Sequence, residues 1–337
     1  MNQLNKKVTA SDVAAHLGLS RSAVSRAFTE GASINPAKRE KILATAKELG
    51  YQPNFLARTL STPATRSRSH LVAILISDFS NPFQSFLFEE LSTTLQLNGK
   101  QPMLLNVKQA EDLDAAILRL SGYQVDAVIA VMGSLPAESF AQCQKLSLPL
   151  ITLGRADQRG LIPSVQTDNV EAGRLAAQHL LTQGLNKLGF VAGRSDGQAS
   201  IERYQGFCEI LSQRGATPPI RLDAGRYGYS AGFELGVRSI DTLRELEGIF
   251  CASDALAMGL IDSCREVSKV AIPEMLRVVG CDDVPQASWQ GYQLSSIAQP
   301  VPEIAQQVMQ LLEKMWQKDD DIPIMTRLAP SLKVRRT

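Results

Sequence analysis

No stretch of the 337 residues holds eighteen consecutive apolar positions, which excludes a helix long enough to cross a membrane. The N-terminus is polar and carries no apolar signal segment, so a cytoplasmic protein is expected. Five cysteines, an odd count without a Cys-x-x-Cys pair, fit a reducing compartment and exclude a disulfide framework. Histidine is scarce: His16, His70 and His179 are the three, and none is paired with acids at metal-ligand spacing, so no metal site is expected. Neither a G-x-G-x-x-G run nor a phosphate loop occurs, and no cofactor is expected. Gly228-Tyr-Ser-Ala-Gly232 matches the nucleophile elbow of hydrolases, but every histidine precedes it. Ser230 therefore reads as a helix cap, Asp319-Asp-Asp321 as a solvated turn, and the chain as no enzyme.

What is present is unevenly distributed. The formal net charge of +1 hides a value of +7 over residues 1–70 and −6 over the rest. A basic head on an acidic body is the electrostatic signature of a polyanion-binding module carried by something else. The length calls for two or three domains. In the head, Thr9 or Ser11 can cap a first helix with Val13, Ala14 and Leu17 on one face. Gly18 breaks it, and Ser20 caps a second helix that turns Val24 and Phe28 inward. Arg21, Ser22 and Arg26 are left outside, where a recognition helix meets base edges. Asn35 as cap, Pro36 at the first turn and Gly50 as the stop frame a third helix, with Ile42, Leu43, Ala46 and Leu49 as its packing face. Pro53–Leu60 is too short to be helical alone in water, and Leu60 is suited to wedge between base steps in the minor groove. The Ser/Thr/Arg-rich residues that follow read as a linker.

Beyond residue 70, apolar runs alternate with amphipathic helical stretches, which predicts parallel sheets covered by helices. Strands are expected at 71–76, 102–107, 125–131, 148–153, 187–192, 220–223, 248–251 and 276–280, with a last strand region at 322–328. So many βαβ units exceed one sheet, so two lobes are expected. Ligands of such sheets sit beyond the carboxyl ends of the strands. Asp78, Phe83, Ser200, Arg203, Tyr227, Ser253, Asp254 and Asp282 all follow strand ends. An aromatic face, an arginine and a carboxylate facing a cleft suit a polyhydroxyl ligand. Other readings stay open: Arg203 and Asp282 as salt-bridge or cap groups, Asp254 as a helix N-terminal carboxylate, Tyr227 as a surface aromatic.

The chain resembles the lactose-repressor/galactose-repressor (LacI/GalR) family of bacterial regulators. The resemblance rests on Asp12-Val-Ala, Val24-Ser-Arg26, Tyr51-Gln-Pro-Asn-Phe-Leu-Ala-Arg-Thr-Leu60, Ser80-Asn-Pro-Phe83, Asp168-Asn169, Cys251-Ala-Ser-Asp254 and Gly280-Cys-Asp-Asp283. It implies an all-α helix-turn-helix head and an α/β periplasmic-binding-protein-like core of two doubly wound parallel-sheet lobes. The implied division is a DNA-binding domain at 1–52, a hinge helix and linker at 53–70, and an effector-binding and dimerisation domain at 71–337. Its N-lobe would comprise about 71–166 and 298–326, its C-lobe about 167–297 and 327–337. The lobes would be crossed near 166–168, 297–300 and 326–328. Thr9, Ser20, Arg21, Ser22, Ser25, Arg26, Asn54, Ala57 and Leu60 are the implied DNA contacts. Asp78, Phe83, Ser200, Arg203, Tyr227, Ser253 and Asp282 are the implied effector contacts.

Departures from the family pattern bear on the effector. Gln84 stands where a second aromatic is common, Ser253 where sugar-responsive members carry asparagine, and Gly197 and Ala199 where purine-responsive members carry polar groups. A sugar or sugar derivative is the default expectation. The implied partners are a palindromic double-stranded operator and a second copy of the chain, with no membrane. A dimer is expected rather than a tetramer, because no heptad segment follows the last strand region. The implied function is an effector-controlled transcriptional regulator, a repressor by default; the alternative is the solute-binding protein of a transport system, which the body alone would fit equally.

Overall fold

Three short helices build the N-terminal unit: α1 (Ala10–Leu17), α2 (Arg21–Ala27) and α3 (Pro36–Glu48). Thr9 caps α1 in a closed box, its backbone N–H donating to Asp12 Oδ2 at 2.8 Å while Asp12 N–H donates to Thr9 Oγ1 at 3.4 Å. Gly18 ends α1 in the left-handed region (φ 64°), and Ser20 Oγ accepts Ala23 N–H to start α2. Val13, Ala14, Val24, Ala27, Ile42 and Ala46 form the core. The expected packing face of α3 needs one correction: Leu43 is 39% exposed, and Thr45 is buried in its stead. A helix advances about 100° per residue, so Leu43 cannot share the face of Ile42, Thr45 and Ala46. Arg39 holds the α2–α3 connection through Thr29 O at 2.8 Å.

The computed structural model describes residues 8–29, 31–52, 68–107, 111–131, 143–154, 157, 160–194 and 197–337. The expected hinge segment 53–60, with Asn54, Ala57 and Leu60, lies outside the described residues. Chain contacts divide the protein into Met1–Ser69 and His70–Thr337.

The second unit begins with β1 (Leu71–Ile76), α4 (Pro82–Leu97), β2 (Gln101–Asn106), α5 (Glu111–Gly122), β3 (Ala127–Val131), β4 (Leu150–Leu153) and β5 (Ser164–Thr167). It continues through α6 (Asn169–Thr182), β6 (Leu188–Ala192), α7 (Gln198–Gln213), β7 (Ile220–Asp223), α8 (Tyr229–Arg238), α9 (Ile240–Glu245), β8 (Gly248–Cys251), α10 (Asp254–Ser263), β9 (Arg277–Asp282) and β10 (Ser295–Ala298). It closes with α11 (Val301–Gln317), β11 (Met325–Leu328) and β12 (Ser331–Lys333).

Two six-stranded sheets result, ordered β11-β5-β4-β3-β1-β2 and β12-β10-β9-β8-β6-β7. The first is parallel throughout; in the second, β12 pairs antiparallel with β10, a departure from the all-parallel expectation. The chain passes from the first sheet to the second at Asp168, returns at Gln299–Pro300, and passes again at Ala329–Pro330. The third passage falls later than 326–328 because β11 pairs with β5 through Leu328.

Close helix packing fixes the second lobe. A Cβ at Gly173 of α6 would lie 2.0 Å from the carbonyl oxygen of Arg203 on α7, and one at Gly206 would lie 1.9 Å from that of Val170. Only glycine lets these backbones approach so closely. Beneath them Phe190, Phe207 and Phe250 pack ring against ring at 5.5–6.2 Å.

Candidate functional site

A cleft of about 980 Å³ opens beyond the carboxyl ends of the strands, walled by both lobes. The first lobe supplies Asp78 from the turn after β1, Phe83 and Gln84 from the first turn of α4, and Thr167 from the end of β5. The second supplies Asn169, Arg203, Tyr227, Ser253 and Asp282, while Gln299 comes from the passage between β10 and α11. Six of the seven residues expected to meet a ligand therefore share one wall-to-wall space.

Ser200 is the exception. It is buried one helical turn before Arg203, and among the described residues neither its hydroxyl nor that of Tyr227 has a hydrogen-bond partner. Both residues point inward from α7, but only the long arginine side chain reaches the cleft.

Arg203 is 4% exposed, and three groups meet its guanidinium. Its Nε donates to Asn169 Oδ1 at 2.9 Å, its Nη1 donates to the carbonyl oxygen of Ala252, and Asp282 Oδ1 lies 3.8 Å from Nη1. Gln299 Nε2 donates to Asp282 Oδ1 at 2.7 Å, and Thr167 Oγ1 donates to Gln299 Oε1 at 2.7 Å. A continuous chain of hydrogen bonds and charge thus links the cleft to two of the inter-sheet passages. Such a network is favourable only when each member is satisfied, and here each named member has a partner.

Asp282 itself sits at φ 126° and Asp283 at φ 53°, conformations that cost non-glycine residues free energy. Arg335 clamps Asp283 at 2.6 Å and Ser296 Oγ accepts its N–H, which over-determines the turn.

Beneath Asp282 lies a second buried carboxylate. Asp254 accepts Val284 N–H at 2.9 Å and contacts Ser296 Oγ at 2.6 Å. Asp254 is the expected helix N-terminal carboxylate, opening α10, and its oxygens also serve the β9 turn and β10. Burial and the charge of Asp282 push its carboxyl up to about 8. Burial pushes Asp282 up to about 6, against the pull of Arg203. Burial thus favours a proton on the pair, while Arg203 favours charge on Asp282.

Tyr227 is no surface aromatic. Its ring lies on the backbone of Gly193, where an added Cβ would meet Cε1 at 2.5 Å. Phe83 packs against the apolar cores of both lobes. Asp78 is exposed and accepts both the N–H and the hydroxyl of Ser80. Ser253 caps α10 through Leu256 N–H and lines the cleft.

Sequence reasoning missed Thr167, Gln299 and Asn169 as cleft residues. Asp168-Asn169 was a visible motif, but nothing in it told which neighbour Asn169 would hold. Ser230 is a further correction, since Gly228 takes the cap position of α8 and Ser230 is exposed in the first turn.

In the N-terminal unit, Arg21, Ser22, Ser25 and Arg26 form an exposed face of α2, with Ser20 Oγ 2.9 Å from Ser22 Oγ. Among the described residues no cluster of three His, Cys, Asp or Glu could hold a metal, and no helix is long and apolar enough to cross a membrane.

Residues 9–54 match the model of bacterial regulatory proteins of the lacI family, and residues 177–337 that of periplasmic binding protein-like domains. The sucrose operon repressor of Pediococcus pentosaceus is 30% identical over 310 residues, covering 89% of this chain and 90% of the relative. The chain belongs to the lacI family of bacterial regulatory proteins. Two solved structures extend the likeness of this lacI-family regulator. A complex of the transcriptional regulator CelR with cellobiose is 26% identical, with a TM-score of 0.71 over 98% of this chain and 99% of that one. The lac repressor dimer bound to operator and an anti-inducer shares the fold at a TM-score of 0.83 and 22% identity, over 98% and 99% of the two chains. This lacI-family regulator thus joins a helix-turn-helix DNA-binding unit to a two-lobed binding unit, and its relatives are regulators of transcription rather than enzymes.

Proposed function

We propose that this lacI-family regulator represses transcription as a cytoplasmic homodimer bound to an inverted-repeat operator, and that a sugar or sugar derivative in the cleft alters its hold on DNA. The observation that carries the reading is the buried Arg203–Asp282 pair facing a cleft that also holds Tyr227 and Phe83. Charged groups make strong hydrogen bonds to hydroxyls, and aromatic faces stack on the apolar faces of sugar rings. The sucrose and cellobiose named for two relatives support that ligand class.

On the DNA side, Arg21, Ser22, Ser25 and Arg26 read bases, and Thr9 and Ser20 place helix ends against phosphates. Asn54, Ala57 and Leu60 belong to the hinge, with Leu60 as the wedge. The division at 1–52, 53–70 and 71–337 follows from these roles. The hydrogen-bonded chain Asp282–Gln299–Thr167 gives cleft occupancy a route to the passages between lobes, and coupling of the two sites is reciprocal.

The test begins with operator selection from random duplexes by the full chain, followed by anisotropy titrations with sucrose and cellobiose. An inverted repeat whose affinity changes severalfold with one sugar, and no longer does so in Arg203→Met, is expected. Failure to enrich any duplex would overturn the regulator's DNA reading, and operator affinity indifferent to both sugars would overturn the sugar reading.

A further inference from the structure

The helix that follows the return to the first sheet runs the length of its lobe. α11 is capped by Pro300, next to Gln299, whose amide joins Asp282 and Thr167. Its 17 residues make a rod about 25 Å long. Beyond Pro302 in the first turn it holds neither glycine nor proline, so nothing kinks it. Ile304, Val308, Leu311 and Leu312 seat it on the core of the first lobe. Trp316 ends the rod at the side away from the cleft, among the residues that precede β1, β2 and β3.

Four residues meet there. Trp316 Nε1 donates to the carbonyl oxygen of Asp126 at 3.1 Å, and Lys100 Nζ lies over the indole, 4.6 Å from the ring centroid. The same ammonium stands 3.4 Å from His70 Nδ1; an ammonium can only donate, so Nδ1 accepts. Asp126 Oδ2 accepts His70 N–H at 2.8 Å, and the carbonyl oxygen of His70 accepts Gln101 N–H at 2.7 Å. These bonds hold His70 at φ 56°, a conformation costly for a non-glycine residue. His70 is also where the chain arriving from the DNA-binding unit enters the second unit. As at Asp282, a strained residue is held in place beside one end of α11.

We propose that Trp316 is a positioning residue of the regulatory response, passing the state of the cleft along α11 to the root of the second unit at His70. The inference rests on the sugar-controlled reading above and deepens it. A stiff rod seated at both ends moves as a body. A shift of Gln299 against Asp282 when the cleft fills therefore reaches Asp126 and His70 with no ligand contact near them.

The experiment uses the full chain and the operator selected above. Trp316→Phe keeps a ring for Lys100 and removes the N–H that Asp126 accepts; Lys100→Met keeps the stem and removes the cation. Both free variants are expected to bind sucrose or cellobiose, whichever acts on wild type, within about twofold of wild type, while the sugar's effect on operator affinity falls to about a third or less. A full response in both variants would overturn the proposal. So would a parallel fall in sugar affinity, sugar-free operator affinity and melting temperature, the mark of a merely structural anchor. A second readout needs no sugar. Trp289 and Trp316 are the two tryptophans, so the Trp289→Phe protein grown on fluorotryptophan gives a single fluorine resonance, that of Trp316. Gln299→Leu in that background cuts the far end of the rod from Asp282 and Thr167 and is expected to move the resonance; an unmoved resonance would overturn the proposal. Wild-type operator affinity indifferent to both sugars would count against the sugar reading instead, and the fluorine shift then decides for or against the relay.

Discussion

The two walls of the cleft are built on opposite plans. On the second lobe, Arg203, Asp282 and Asp254 are buried, and each is held by groups of the protein. On the first, Asp78 is exposed; among the described residues Gln84 Oε1 has no hydrogen-bond partner, and neither have the buried hydroxyls of Ser200 and Tyr227 on the second. The difference teaches that the second wall buries its charges inside a network of its own, while the first leaves its carboxylate in solvent.

The comparison breaks most visibly at Arg203. Replacing it by methionine leaves Asp282 buried without its cation and Asn169 Oδ1 without its donor. We expect a loss of about 3–5 kcal/mol in urea unfolding, together with loss of sugar binding. A variant as stable as wild type would show that the second wall is not internally braced.

A smaller effect sharpens the same wall. Asp254 is pushed up to about 8 when folded, whereas an unfolded aspartate titrates near 4. Between these values the folded chain holds a proton that the unfolded chain has lost. Stability from this group is therefore full below about pH 4, falls as pH rises, and is gone above about pH 8, at no more than about 1.4 kcal/mol per pH unit. Asp254→Asn mimics the protonated form, with Oδ1 accepting Val284 N–H and Nδ2 donating to Ser296 Oγ. Urea melts at pH 5 and pH 8 are expected to differ less in the variant than in wild type; an equal difference would place the proton elsewhere.

The smallest effect lies on the opposite wall. Asp78→Ala should change stability by less than about 0.5 kcal/mol, because an exposed side chain is lost, while weakening sugar affinity severalfold. Stability and binding that fall together, as at Arg203, would erase the distinction between the walls.

How much of this was legible before any coordinates depends on what each element buries. β1, β3 and β8 are continuous apolar runs covered on both faces, and their sequences announce them. β10 reads Ser-Ser-Ile-Ala and escaped notice, because Ser295 and Ser296 are fully buried yet hydrogen-bonded to Thr337, Asp254 and Asp283. A polar residue satisfied by a partner forty positions away looks like a loop residue in a linear reading. The strand-end rule picked out Asp78, Phe83, Arg203, Tyr227, Ser253 and Asp282, each of which closes a β-strand or lies in the loop or the first turns of the helix after one. Thr167 and Gln299 also sit at strand ends, but of β5 and β10, which the sequence did not announce. Their contact spans 132 positions and exists only because two inter-sheet passages run side by side.

The glycine contact between α6 and α7 has its own consequence for mutational scanning. Gly173 and Gly206 touch backbone rather than the cleft, and a single added methyl group at either would force the helices apart. Arg203 rides on the displaced helix, so positions 173 and 206 would score with the ligand contacts in any selection for response to sugar. A tolerance map of this lobe would therefore outline the spacing of its helices as sharply as the shape of what it binds.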